Sequence, residues 1–407
     1  MSVDVPDMKE LLTATPVAAY GDDTDPGTRG GALHLSSLLP AISAAIGQPV
    51  PTAVHHDPAA LQHTLGLPDA RSAVVVLIDG LGYWNLAMRL GHAPYLRALM
   101  NDTANQRPIA TCTPSTTVSA MATFGTGTCP GMTGMTGYTQ LNPATGALCQ
   151  LIQFTDAPDP ADLQRQPTVL ETLAGQGVRV TSCGLMKFKD SPLTRAALRG
   201  GDYKGGVTPV DRVSDAARAA REPGLTYLYI RDADKTGHAY GWDSDKWIGV
   251  FERIDAHLAL LRRSVPKGTL IVVTADHGMV SADPTQRIDV AADPTLSAGV
   301  RLVGGEPRSV MLYADDGESA DTIAARWRDR LGERAIVWTR DEAVTRGLYG
   351  PVDPRVLPVI GDVIVCALDA LTIVDSRTQS AQAMSLPSVH GSRTMLESDI
   401  PCLIDLA

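Results

Sequence analysis

The sequence predicts an α/β fold: a mostly parallel central sheet flanked by helices, carrying a smaller α+β cap insertion. Three observations support this. Unbroken apolar runs recur along the chain, helical patterns separate them, and two of the runs stop at an Asp followed by Gly or His. A strand covered by helices on both faces reads as a continuous apolar run. Regular strand–helix alternation is the mark of a parallel sheet.

The elements follow in order. Residues 1–70 are rich in Pro, Gly, Ala and Asp and read as a partly irregular lead-in, with helical pieces over Leu35–Ile46 and Pro58–Leu65. Ser72–Ile78 is the first buried strand and ends at Asp79-Gly80. Similar runs lie at Val178–Ser182, Leu225–Ile230 and Thr269–Thr274, with helices over Thr168–Gly175, Val213–Arg221 and Asp245–Ser264. Ligands of such sheets bind beyond the carboxyl ends of the strands, where Asp79 and Asp276 fall. Residues 283–385 change character. Strands are expected at Ser309–Tyr313, Ala335–Thr339 and Asp362–Ala367, and helices at Ser319–Leu331 and Arg340–Arg346. The expected organisation is a catalytic core of residues 1–282 and 386–407, with 283–385 as a cap.

Bulk composition narrows the function. The 407 residues are 44% hydrophobic and 20% charged, an ordinary globular balance. The net charge of −10, with 35 Lys+Arg against 45 Asp+Glu, gives no electrostatic footprint for nucleic acid. A small anionic substrate stays open, because bound metal ions reverse the local sign. The six cysteines form no CxxC pair and read as reduced, buried thiols. No apolar stretch reaches the roughly 18 residues a membrane span needs, and MSVDVPDMKELL lacks the pattern of a secretory signal. A cytoplasmic enzyme is the expectation. Oligomeric state is not legible.

Five segments carry chemistry: Asp79-Gly80, Thr113–Gly127, Asp232–His238, Thr274–Gly278 and Val389–Gly391. Each alone is ordinary. An Asp at a strand end is often a turn residue, and Ser115, Thr116 and Thr117 could do no more than cap a helix. Together they supply Asp79, Asp234, Asp276, His238, His277 and His390, the ligand types of catalytic zinc. Six such ligands and one hydroxyl suffice for two divalent metal ions with open positions, which can clamp the attacking and leaving oxygens of an in-line displacement. Zinc suits the Asp/His mixture best, with manganese or iron as alternatives. Asp276-His277 should lie just past its strand, and Gly237 should permit a tight bend between Asp234 and His238. The segment from Pro114 reads as a helix start, a place that favours an alkoxide or a phosphate.

This ordered set resembles the alkaline phosphatase superfamily, most closely its nucleotide pyrophosphatase/phosphodiesterase-like branch. The likeness runs from about Val74 to Met279 and resumes at His390, through Asp234-Lys-Thr-Gly-His238 and Thr274-Ala-Asp276-His277-Gly278. It implies one metal site of Asp234, His238 and His390, and another of Asp79, Asp276 and His277 with Thr117. It also implies that Thr117, ten positions before Gly127, is the nucleophile, with Thr116 as the fallback. The implied reaction is hydrolysis of a small phosphate ester, a phosphodiester or pyrophosphate, through a phosphothreonyl intermediate. Alternatives are a phosphomonoesterase or phosphonate hydrolase, and, more remotely, a catalytically silent metal-binding protein. Ala120 stands where relatives often place a phosphate-holding Asn. Lys235 and Tyr138 are candidate substrate contacts. Lys187, Lys189 and Arg195 could meet a charged leaving group, although surface roles are the simpler reading.

Overall fold

The computed structural model describes residues 4–25 and 27–407. The first three residues of MSVDVPDMKELL, the stretch read as lacking a secretory signal, lie outside the described residues. In chain order the strands used below are β1 (Ser72–Ile78), β2 (Thr139–Asn142), β3 (Ala147–Gln150), β4 (Val180–Gly184), β5 (Asp202–Gly205) and β6 (Gly224–Ile230). They continue with β7 (Leu270–Thr274), β8 (Val300–Glu306), β9 (Ser309–Ala314), β10 (Ala335–Thr339), β11 (Val363–Ala367) and β12 (Cys402–Leu406). The helices are α1 (Thr117–Thr126), α2 (Val169–Gly175), α3 (Pro209–Ala219), α4 (Asp232–Tyr240), α5 (Asp245–Ser264) and α6 (Ala320–Leu331).

The central sheet has the order β12–β7–β1–β6–β4–β5. All its pairings are parallel except that of β12 with β7. Every residue of β1 is buried, as its apolar run requires. Its register positions the chemistry. Ile78 stands opposite Ile230 of β6, and Leu77 opposite Thr274 of β7. Three neighbouring strands therefore end together, and Asp79, the turn into Asp234, and Asp276 emerge at one edge. Capping boxes at Thr168–Glu171 and Thr208–Asp211 start α2 and α3 by satisfying free backbone N–H groups at both ends of each motif.

A second sheet, antiparallel throughout, has the order β10–β11–β9–β8–β2–β3. It has its own apolar cluster, with Leu312, Val365 and Trp327 of α6 among its buried members. Its β2–β3 hairpin comes from far earlier in the chain and joins through Thr139 opposite Gly305. The second sheet is thus completed by a hairpin from the segment that follows α1.

Two local expectations need correction. The helix read from Pro114 begins instead at Thr117. Ser115 donates its N–H to Gly391 O (3.0 Å) and its hydroxyl to Ser392 O (2.6 Å), so this stretch is spent pairing with the His390 segment. Nor does Gly237 make a tight bend. It lies inside α4, where a Cβ would fall 2.3 Å from Met279 Sδ, so its lack of a side chain serves close packing.

Candidate metal centre

Two triads of ligand-type side chains converge at the strand ends: Asp79, Asp276 and His277, and Asp234, His238 and His390. Within each triad the ligand atoms lie within 4.8 Å of one another. Asp234 and His238 share one face of α4, as helical neighbours four apart must, with His238 Nε2 3.2 Å from Asp234 Oδ1. His390 Nε2 lies 3.7 Å from the same oxygen. In the other triad His277 Nε2 is 3.4 Å from Asp276 Oδ2 and 3.6 Å from Asp79 Oδ1. The rings of His277 and His390 stack with centroids 3.6 Å apart, so the triads adjoin. All six residues implied by the sequence are brought together.

Their surroundings fit metal ligation. Each histidine has its Nδ1 against a backbone carbonyl: His238 with Ser388 (2.8 Å), His277 with Gly278 (3.1 Å) and His390 with Ser115 (2.9 Å). A proton on Nδ1 leaves Nε2 as the free lone pair, the usual way a protein fixes a ligating tautomer. Asp276 Oδ1 accepts the N–H groups of Gly80 and His277, each at 3.0 Å. Asp276 Oδ2 and Asp234 Oδ1 are buried without any hydrogen-bond partner. Burying such oxygens unpaired is costly, and a cation removes the cost.

Electrostatics agrees. Burial raises Asp79 well above the carboxylate range, and the charges of Asp276 and Asp234 add to it. Burial also raises Asp276, against the attraction of His277. At Asp234 burial is outweighed by His238 and His390, and its pKa falls. Converging buried carboxylates of this kind call for divalent cations. Sequence reasoning missed Tyr229, whose hydroxyl donates to Asp79 Oδ2. The available signal was the Tyr227–Tyr229 spacing, which puts both rings on one face of the strand leading to Asp234.

Thr117 is the first residue of α1, and its Oγ1 lies 3.2 Å from His277 Nε2 and 3.5 Å from Asp79 Oδ1. Thr116 makes no side-chain cap. It is buried, with its side chain turned toward Glu306. The first-turn N–H groups of α1 therefore have no capping hydroxyl, and this helix end faces the triads. Gly127 ends α1 with φ 61°, a left-handed stop that suits glycine.

Two cavities meet here and share Thr117, Ile152, Asp234 and His238. The first, about 620 Å³, is lined by Phe188, Tyr203, Tyr229, Lys187, Arg231 and Lys235, among others. The second, about 930 Å³, runs beneath β8 and includes Tyr138, Glu306 and His390. Lys235 thus belongs to one cavity and Tyr138 to the other. Lys187 lines the first, whereas Arg195 pairs on the surface with Asp159 at 3.1 Å. Lys189 lines neither. Ala120 is fully buried in the core and lines neither cavity.

Fold and site together define a hydrolase of the alkaline phosphatase-like architecture with two candidate metal-ligand clusters. The family model for Type I phosphodiesterase / nucleotide pyrophosphatase matches residues 73–393, and the chain belongs to that family. Murine ectonucleotide pyrophosphatase/phosphodiesterase 5 has a similar structure, with a TM-score of 0.64 and 18% identity over 82% of this chain and 87% of its own. Phosphonoacetate hydrolase from Sinorhizobium meliloti, solved with phosphonoformate, reaches 0.63 and 22% over 83% and 90%. Among curated proteins, phosphopentomutase from Methylorubrum extorquens is 33% identical over 118 residues, which spans 29% of this chain and only 28% of that protein. No helix among the described residues is long and apolar enough to cross a membrane.

Proposed function

We propose that this chain hydrolyses phosphodiesters through a phosphothreonyl intermediate on Thr117. One observation carries the reading: Thr117 stands where two roomy cavities meet, one for each substituent of a diester. A monoester or a small phosphonate would fill only one. The murine relative adds support, since a threonine-to-alanine variant of that protein is described as inactive and was solved with AMP.

Asp79, Asp276 and His277 would hold one divalent metal beside Thr117, and Asp234, His238 and His390 the other. Zinc suits this donor set best. Bound there, such ions would favour the threonine alkoxide and neutralise charge on the phosphoryl oxygens. The protein supplies the rest. The start of α1 presents backbone N–H groups to the phosphoryl oxygens. Thr117 Oγ1 gives up its proton and bonds to phosphorus, the bond to one ester oxygen breaks, and the departing alkoxide takes up a proton. Water then cleaves the phosphothreonyl bond and restores the hydroxyl. The Tyr138 hydroxyl accepts from Gln150 Nε2 at 2.7 Å, so its own proton is free for a substrate oxygen. Lys235 offers a cation to the substituent in the first cavity.

The test compares bis-nitrophenyl phosphate with mononitrophenyl phosphate on wild type and on Thr117→Ala. The diester should be cleaved faster, and the variant should lose at least about 10³-fold in kcat while keeping its metal. A preference for the monoester, or an active variant, would refute the proposal.

A further inference from the structure

The cavities that meet at Thr117 differ sharply in chemistry. Lys187, Arg231 and Lys235 line the first. Among the described residues, no Lys or Arg lines the second. Its wall includes Leu148, Ile152, Leu302, Val303, Leu386 and Val389. Apart from the ligand-type Asp234, its one acidic lining residue is Glu306. That side chain is 5% exposed; Oε2 accepts the Tyr138 N–H at 3.0 Å, and Oε1 has no partner.

A second phosphate group entering this cavity would leave water and meet no Lys or Arg. Each of these opposes binding. A hydrocarbon group would meet matching apolar surface and release water from it. The volume, about 930 Å³, is ample for a sizeable substituent. Cations and aromatic rings in the first cavity can serve the other arm, planar or anionic.

We infer that the second cavity receives an uncharged, apolar alcohol substituent, so that the substrate is a phosphodiester with one apolar arm and not a pyrophosphate. The inference rests on the phosphodiesterase reading above and specifies its substrate class. It sets polarity as the selection rule on the cap side: β8 and the segment around Leu386 supply the wall, and the triads supply the floor.

The experiment measures kcat/KM of the metal-loaded enzyme on nitrophenyl phosphodiesters whose second arm is methyl, butyl or octyl. A dinucleoside pyrophosphate is run alongside. The octyl arm should exceed the methyl arm by at least about tenfold, and the pyrophosphate should be the poorer substrate. Leu302→Lys, at a half-buried wall position, should reduce the octyl-to-methyl ratio by about tenfold. Its folding is checked by its thermal transition, and the wild-type series decides the question alone if the variant misfolds. Equal rates for methyl and octyl arms, or faster cleavage of the pyrophosphate, overturn the inference and leave the phosphodiesterase reading standing. Cleavage of mononitrophenyl phosphate with none of the diesters overturns that reading, and this inference with it.

Discussion

Gly80 and Asp234 are packed so closely that a Cβ on Gly80 would fall 2.8 Å from Asp234 Cβ and 2.9 Å from its Cα. The same glycine has φ 72°, and the Asp234 N–H donates to Asp79 O at 3.0 Å. One residue thus sets the spacing between a ligand of each triad. Gly80→Ala would combine backbone strain with a clash against Asp234, a candidate metal ligand, at a cost of about 1–3 kcal/mol for the strain alone. The variant should bind less metal, with kcat lowered at least about tenfold. Elemental analysis and turnover on one diester check this, and full metal content with full activity would refute it.

Tyr229 should matter without touching substrate phosphate. Its hydroxyl donates to Asp79 Oδ2, and burial together with the Asp79 charge holds its own pKa well above the usual phenol value, so it stays a donor. Tyr229→Phe keeps the ring and removes that bond. Loss of such a supporting hydrogen bond typically weakens metal affinity by about 10–100-fold. A competitive chelator titration should show weakening at one of the two sites. An unchanged titration curve would mean the hydroxyl does not support the ligand.

Much of this was legible in the sequence because physics writes it there plainly. A strand buried on both faces must be apolar throughout, so β1 and β7 stood out as runs, and their ends marked Asp79 and Asp276. Asp234 and His238 were found as a pair, although the role assigned to Gly237 was wrong because only the fold brings Met279 against it. The β2–β3 hairpin was hidden, since each strand is four residues long with scattered polar positions, and β2 pairs with β8 only across a long stretch of chain, Thr139 opposite Gly305. β5 is an exposed edge strand without an apolar run. Glu306 had no local signal as a site residue, because its partner Tyr138 comes from a distant segment, and for Tyr229 the sequence offered only the Tyr227–Tyr229 spacing, with nothing to point to Asp79.

Glu306 should make stability depend on pH. Burial pushes its carboxyl up to about 8, against the opposing effect of the Tyr138 N–H and the nearby Thr116 hydroxyl. Its folded pKa therefore lies above the unfolded value near 4.3. The folded state then binds more protons than the unfolded state between these limits. The contribution to stability is fully present below the unfolded pKa and is lost as pH rises through about 8. The slope at steepest is about 1.4 kcal/mol per pH unit. Glu306→Gln should flatten the decline in urea-unfolding stability between about pH 5 and 8 relative to wild type. Parallel pH profiles for the two proteins would show that Glu306 ionises freely.

Arg308 ties the second sheet to the segments that carry His277 and His390. Its Nε and one terminal nitrogen donate to Glu397 at 3.1 and 2.8 Å, and the other terminal nitrogen donates to the carbonyls of Asp369 and Leu371. Both partners are fully buried. Glu397 in turn accepts the Ser392 N–H at 3.0 Å, two residues after His390, while its carbonyl accepts the Gly278 N–H at 2.9 Å, next to His277. Arg308→Met would strand a buried carboxylate, at a cost of about 3–5 kcal/mol. Arg308→Met combined with Glu397→Gln removes the stranded charge and should recover part of that loss. Both variants should hold metal less tightly, because the segments carrying His277 and His390 lose a shared anchor. Urea denaturation and metal titration separate the two effects. If the double variant regains wild-type metal affinity, the pair supports folding alone and leaves the ligands where their own backbone bonds hold them.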